Sequence, residues 1–171
     1  MATGLLSRYD RPKDGQPMAA PENPSALRFR GAELELWQAG QLPVPVDGDA
    51  LENMRAMPLA VPADRVRLAE VAVREDERRH LRQSLPFIME EDVIDPVESL
   101  HFSYRPVDGE KYITAVTSCD DMNAWVERMG ADFEGSFIHE ALLLPWQPGE
   151  ICVLIEETSV LVRTARWQGF R

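Results

Sequence analysis

The sequence predicts an α/β fold, a mixed sheet with flanking helices. Several segments alternate apolar and polar residues with period two, two others show the apolar spacing of amphipathic helices, and turn signals separate them. Strand-like and helix-like segments interleave along the chain, which is typical of α/β or α+β domains.

The first 25 residues predict a flexible tail. They contain four prolines among Gly, Ser, Lys and Asp, and they have too little apolar content to offset the entropy of ordering. Two strands are then predicted over residues 27–30 and 33–38, where Leu34 and Leu36 alternate with Glu33 and Glu35.

A strand at a sheet edge is predicted over residues 42–46, because Pro43 and Pro45 lack the backbone donor that a central strand needs. A short helix over residues 50–57 is expected to be capped by Asp49. Residues 66–73 predict a further strand.

The longest helical signal runs over residues 74–93. Proline inside a helix removes a backbone donor and clashes with the preceding turn, so Pro86 predicts a kink or break near Ser84 and Leu85. The apolar residues of this helix recur at one face, and they are Leu81, Leu85, Ile88 and Met89.

The second half of the chain predicts two hairpins and one capped helix. Residues 100–105 and 111–117 form the first hairpin around an Asp-Gly turn. Ser118 and Asp121 have capping-box spacing and Gly130 supplies the helix stop. Residues 151–156 and 160–164 form the second hairpin.

Composition narrows the classes of function. The formal net charge of −11 argues against a nucleic-acid partner, because neutralising phosphates requires Lys and Arg. Acidic charge fits plain solubility as well as a basic partner. No stretch approaches the roughly 18 apolar residues of a membrane span, and the N-terminus lacks a secretory signal, so a cytoplasmic location is expected. Cys119 and Cys152 are expected to be free thiols.

The sequence offers no recognisable catalytic constellation. His80, His101 and His139 are isolated, without a second His or Cys at metal-ligand spacing. The acidic run that includes Glu90 and Glu91 fits a solvated helix end, since adjacent helical carboxylates diverge by about 100°. Phosphate-cradling glycine motifs and the G-x-S-x-G motif are absent. We therefore expect no enzyme, cofactor or metal site.

One block of sequence is more specific. Residues 81–87 (LRQSLPF), Glu90-Glu91 and residues 95–102 (DPVESLHF) together resemble protein L of the type II secretion system. Matches to the strand over 65–73, to LPW at 144–146, and to VRT and WQGF at 162–170 follow in order. The resemblance covers residues 27–171. The sequence departs from the family at Pro96, where the family often has Val, and this puts the local helix geometry in doubt.

The resemblance implies an actin-like, ribonuclease H-like cytoplasmic domain that has lost nucleotide chemistry. It implies a non-catalytic scaffold on the cytoplasmic side of the bacterial inner membrane, which recruits the secretion ATPase (E protein). It further implies contact with the M protein of the platform through parts absent here, and a single membrane span in the full-length protein. A homodimer is left open.

A truncated domain with two subdomains, 26–95 and 96–171, is expected from this resemblance. The partner interface is expected near the kinked helix, with Phe87, Glu90 and Glu91 as its residues. The alternative interpretation is that Leu81 and Leu85 of this helix belong to the core. Two other functions stay open. One is an actin-like nucleotide-binding ATPase, which Mg-ATP binding would reveal; the other is a related pilus-assembly platform protein.

Overall fold

The computed structural model describes residues 25–31, 33–38 and 40–171. The tail predicted for residues 1–25 lies outside them, except for Ser25, which opens the first strand.

The largest sheet has five strands and is mixed, as the sequence predicts. Its order is β3-β2-β1-β4-β8. β1, β2 and β3 run antiparallel, whereas β4 pairs parallel with β1 and β8 parallel with β4. The strands are β1 (Ser25–Arg30), β2 (Glu33–Gln38), β3 (Val44–Val46), β4 (Leu59–Val61) and β8 (Phe137–His139).

Two further sheets have three antiparallel strands each. The middle sheet has the order β5-β7-β6 and is inserted in the chain between β4 and β8. The terminal sheet has the order β11-β10-β9. Their strands are β5 (Arg67–Ala72), β6 (Leu100–Asp108), β7 (Lys111–Ser118), β9 (Cys152–Ile155), β10 (Val160–Ala165) and β11 (Gln168–Phe170).

Three α-helices flank these sheets in the described part of the chain. They are α1 (Gly48–Glu52), α2 (Leu81–Met89) and α3 (Cys119–Met129). Short 3₁₀ helices occur at Arg78–His80, Glu90–Asp92, Val97–Ser99 and Glu140–Leu143.

Each helix with a strong apolar stripe covers one sheet. Trp125 and Met129 of α3 pack with Leu27 of β1 and Leu59 of β4 in one cluster. A second cluster joins the buried stripe of α2 to the middle sheet, and its buried members are Val73, Leu81, Leu85, Met89 and Val116. The predicted helical stripes are therefore the faces that build the core.

The caps of α3 confirm the prediction for that helix. The Ser118 hydroxyl accepts a hydrogen bond from the Asp121 amide at 3.0 Å, and Gly130 ends the helix with φ of 80°. The prediction for the cap of α1 was wrong. Asp47, not Asp49, accepts from the amide of Ala50 at 2.8 Å, because α1 begins two residues earlier than predicted and ends at Glu52.

The 20-residue helix predicted over residues 74–93 was also wrong. Only Leu81–Met89 is α-helical, with 3₁₀ helices before and after it. The predicted break at Ser84 and Leu85 does not occur, and α2 runs through Pro86. Burial of the apolar stripe offsets the lost backbone hydrogen bond, since burying one large apolar side chain contributes about 1.5–3 kcal/mol.

Strands β4 and β8 were not predicted. Each has three residues, too few for a period-two pattern. All three residues of β4 are buried, so its sequence Leu-Ala-Val resembles any short apolar run.

The predicted subdomains 26–95 and 96–171 stay a prediction. Strand β5, from before residue 95, is hydrogen-bonded to β7, from after it, in the middle sheet.

Candidate functional site

The surface at the end of α2 carries all three residues predicted for the partner interface. Leu85 and Met89 of this helix are 1% and 0% exposed, whereas Phe87 is 72% exposed. Successive helical residues are about 100° apart, so Phe87 points about 200° away from the buried positions two residues on either side. The helix is anchored by one face and presents an aromatic ring on the other.

Glu90 and Glu91 follow Phe87 by three and four residues, in the 3₁₀ helix that continues α2, and both are exposed. Residues at this spacing are neighbours on a helical surface. We call Phe87, Glu90 and Glu91 the α2 surface. Among the ion pairs within the described ranges, Asp92 is held by Arg67 at 3.6 Å, while neither Glu90 nor Glu91 takes part in one.

The α2 surface therefore combines an exposed aromatic ring with carboxylates that are not engaged by the rest of the described chain. Such a combination can bind an apolar and basic partner surface. That these residues form the interface stays a prediction.

A second cluster was missed by sequence reasoning. Arg28 of β1 lies directly opposite Glu35 of β2, and its Nε donates to Glu35 Oε1 at 2.7 Å. The same guanidinium donates to Glu156 at 2.6 Å, which follows β9. Arg28 and Glu35 are 3% and 5% exposed. The contact between Arg28 and Glu156 links the five-stranded sheet to the terminal sheet.

The cluster continues to the last residue of the chain. Arg171 donates to both oxygens of Glu140 at 2.7 and 2.8 Å, and it contacts Glu156 at 3.0 Å. Glu140 is 1% exposed, and it also accepts from the Ala63 amide at 2.9 Å. We call Arg28, Glu35, Glu140, Glu156 and Arg171 the ionic cluster.

Charge compensation explains how these groups stay ionised in the interior. Burial alone opposes the charged form of Glu156, but the hydrogen bond and charge of Arg28, together with Arg171 and Ser159, lower its pKa below the usual value. Burial likewise opposes the charge of Arg28, and its hydrogen bonds to Glu35 and Glu156 raise its pKa. The carboxylates of the cluster are occupied by guanidinium groups, so the cluster connects elements and leaves no free ligand for a cation.

His139 lies at the end of β8 and is 4% exposed. Its Nδ1 accepts from the Ala141 amide at 3.3 Å, and its Nε2 has no partner in the described part of the chain. Burial lowers its pKa to about 4, although backbone groups of Val66 and Ala63 act in the opposite direction. The imidazole is therefore neutral near pH 7.

The other two histidines, His80 and His101, lie on other elements than His139. Burial lowers the pKa of His101, and the charge of Arg82 lowers it further. His80 is exposed before α2. The residues that the structure describes contain no group of three His, Cys, Asp or Glu side chains arranged to hold a metal ion. Within the same residues, no helix combines the length and apolar character of a membrane span.

Comparison with known proteins places most of the chain in one family model. The model described as type II secretion system (T2SS), protein L, matches residues 33–171. Type II secretion system protein L of Dickeya chrysanthemi is 28% identical over 88 residues, which are 50% of this chain and 22% of that protein. The protein of the same name from Pseudomonas aeruginosa is 34% identical over 98 residues, which are 54% of this chain and 26% of that protein.

One solved structure has a similar fold. It is the cytoplasmic domain of EpsL, an inner membrane component of the type II secretion system of Vibrio cholerae. It aligns with a TM-score of 0.64 at 19% identity, over 87% of this chain and 70% of that chain. The likeness confirms the predicted α/β, actin-like fold class. The chain spans only about a quarter of the length of the two sequence relatives.

Proposed function

Since this chain belongs to the type II secretion system protein L family, we propose that it is a non-catalytic scaffold of the inner-membrane secretion platform. In this proposal the domain lies on the cytoplasmic side of the inner membrane and recruits the secretion ATPase for protein export. The observation that carries the proposal is the α2 surface, where an exposed Phe87 is fixed by a buried helix stripe and accompanied by two free carboxylates.

The physical basis is the usual composition of a protein interface. A few central side chains supply most of the binding free energy of an interface, and aromatic residues are enriched among those at its core. Surrounding charges set orientation and association rate. Phe87 is held on a helix whose opposite face is in the core, so little conformational entropy is lost when a partner covers it.

The ionic cluster supports a scaffold more than a nucleotide-hydrolysing enzyme. Magnesium at a phosphate site needs carboxylate oxygens that are free to coordinate it. Glu35, Glu140 and Glu156 are instead bonded to Arg28 and Arg171. Contact with the M protein of the platform is part of the same proposal.

The first prediction concerns Phe87. In a surface-binding assay with the purified N-terminal domain of the secretion ATPase, Phe87→Ala is expected to raise Kd at least tenfold, about 1.4 kcal/mol, because an aromatic anchor is lost. The melting temperature should stay close to that of the unchanged chain, since Phe87 is largely exposed.

The matched control is Leu42→Ala. Leu42 is 87% exposed and precedes β3, which belongs to a different sheet from the one that α2 covers. It should leave Kd unchanged. Absence of any binding by the unchanged chain would reject the recruitment of the ATPase, and equal losses in both variants would reject the α2 surface.

A further inference from the structure

The terminal sheet has one buried and one exposed face. Cys152 and Leu154 of β9, with Leu161 of β10, pack in a cluster with Ala63, Ala141 and Leu144. The residues between them point to the other side, because side chains alternate along a strand. On β9 and just before it, the outward residues are apolar and exposed: Ile151 at 66%, Val153 at 50% and Ile155 at 78%.

The strand register extends this apolar face over all three strands. Ile155 lies opposite Val160, and Val153 lies opposite Val162, which in turn lies opposite Phe170. Val160 and Phe170 are 43% and 55% exposed. We call these outward residues the terminal face. Cross-strand partners share one side of a sheet, so the terminal face is contiguous.

Strand β9 also has a free backbone edge. In the described part of the chain it pairs with β10 alone and stands at the end of the sheet order. An exposed apolar strand at a sheet edge is a ready template for another strand, and native proteins usually cover or charge such edges. Here the edge strand itself carries no charged residue between Ile151 and Ile155.

Charge at the two ends of β9 indicates what covers it. Glu150 precedes the strand and Glu157 follows it, and both are exposed. Antiparallel pairing of two copies, centred between Val153 and Leu154, would place Glu150 of one copy opposite Glu157 of the other. Like charges directly opposite one another destabilise strand pairs. A second copy of this acidic chain is therefore a poor occupant.

We propose that β9 accepts a strand from a separate protein whose segment alternates apolar residues and has Lys or Arg at both ends. The apolar side chains of that segment would extend the terminal face, its backbone would pair with the free edge, and its basic ends would meet Glu150 and Glu157. Strand addition of this kind takes affinity from main-chain hydrogen bonds and specificity from alternate side chains.

This docking site is independent of the proposed function. The α2 surface belongs to the helix that covers the middle sheet, whereas the terminal face lies on a separate sheet. Failure of one therefore leaves the other standing.

The test uses a synthetic peptide of about seven residues, the length of a typical strand, in which valine and threonine alternate between terminal lysines. Titrated into the 171-residue chain at low salt, it should bind at least tenfold more tightly than the same peptide with glutamate at both ends. Hydrogen exchange should slow at the β9 amides that do not bond to β10.

The variant Ile155→Lys should weaken binding at least tenfold by removing an apolar contact and repelling the basic peptide. Ile94→Lys is the matched control, because Ile94 is an exposed isoleucine like Ile155 but lies after α2. It should bind as the unchanged chain does. Both positions are surface positions, so equal melting temperatures are expected.

Three results would overturn the proposal. One is equal affinity for the lysine-ended and glutamate-ended peptides, or no binding of either. Another is protection confined to strands other than β9. The third is a dimer in sedimentation experiments that Ile155→Lys dissociates, which would make a second copy the occupant.

Discussion

His139 is a single buried residue through which we expect the fold to become sensitive to pH. Its imidazole is enclosed at the end of β8, where it accepts one hydrogen bond and has no described partner at Nε2. A charge at this position would be costly, because burial removes it from water and the backbone groups of Val66 and Ala63 compensate that loss only in part.

Acidification is therefore expected to weaken the fold through His139. The pKa is about 4 in the folded state against 6.5 in its ordinary state. Above pH 6.5 both states are neutral and stability is unaffected. Between pH 6.5 and 4 only the unfolded state takes up the proton, so the free energy of unfolding falls by as much as about 3 kcal/mol.

Urea denaturation at several pH values measures this effect. His139→Asn keeps a hydrogen-bond acceptor but does not titrate, so its unfolding free energy should depend less on pH over that range. The control His80→Asn changes an exposed imidazole and should keep the original dependence. Identical pH dependence in the His139 variant and the unchanged chain would contradict the assignment.

Glu35 shows where residue patterns stop being informative. The alternation of Leu34 and Leu36 with Glu33 and Glu35 correctly predicts strand β2, but it suggests that both glutamates face water. Glu35 is nevertheless 5% exposed, and it binds Arg28 on the neighbouring strand, which in turn binds Glu156, 128 residues further along the chain. Sequence contains no local signal for such a long-range pair.

At the scale of elements, the ionic cluster attaches the terminal sheet to the rest of the molecule. Glu140 binds Ala63 after β4 and Arg171 after β11. A close backbone approach supports the same attachment. A Cβ at Gly169 in β11 would lie 2.4 Å from Ala141 Cβ, so glycine is required there.

Removal of the Glu140 carboxylate should loosen that attachment. Glu140→Ala leaves the Ala63 amide without its acceptor and removes both hydrogen bonds that Arg171 donates to Glu140. We expect a loss of about 3 kcal/mol of unfolding free energy in urea denaturation. Hydrogen exchange should accelerate first in β9, β10 and β11.

Glu140→Gln is the matched control, because its amide oxygen can still accept from Ala63. It should cost less than the alanine variant. If both variants unfold with the same free energy as the unchanged chain, or if exchange in the terminal sheet is unchanged, Glu140 does not join the elements.

The elements themselves were predictable to different degrees. Helix α3 follows from its cap, its apolar stripe and its terminal glycine, all of which are local. Helix α2 was predicted with the correct buried face but too long, because charged residues before Arg78 are compatible with helix and the structure forms turns there. The three-residue strands β4 and β8 depend on pairing with distant strands.

At the scale of the whole molecule, the three sheets differ in how far helices cover them. The five-stranded and middle sheets are covered by α3 and α2, whereas the terminal sheet keeps an open face. The fold class could be predicted because strand and helix patterns alternate along the chain. The family could be predicted because the LPF and LHF motifs each lie within a single segment. The ionic cluster could not, since it joins residues that are far apart in the sequence. The terminal face could not either, because the period-two pattern does not show which side of the β9–β10 hairpin packs on the core.

We propose that this domain binds partner proteins and does not process nucleotide. The most direct measurement is a calorimetric titration of the purified ATPase N-terminal domain into the 171-residue chain, with Mg-ATP titrated separately into the same chain. We predict saturable binding of the ATPase domain that Phe87→Ala weakens at least tenfold, and no binding of Mg-ATP. Micromolar binding and turnover of Mg-ATP, with no heat from the ATPase domain, would contradict the claim.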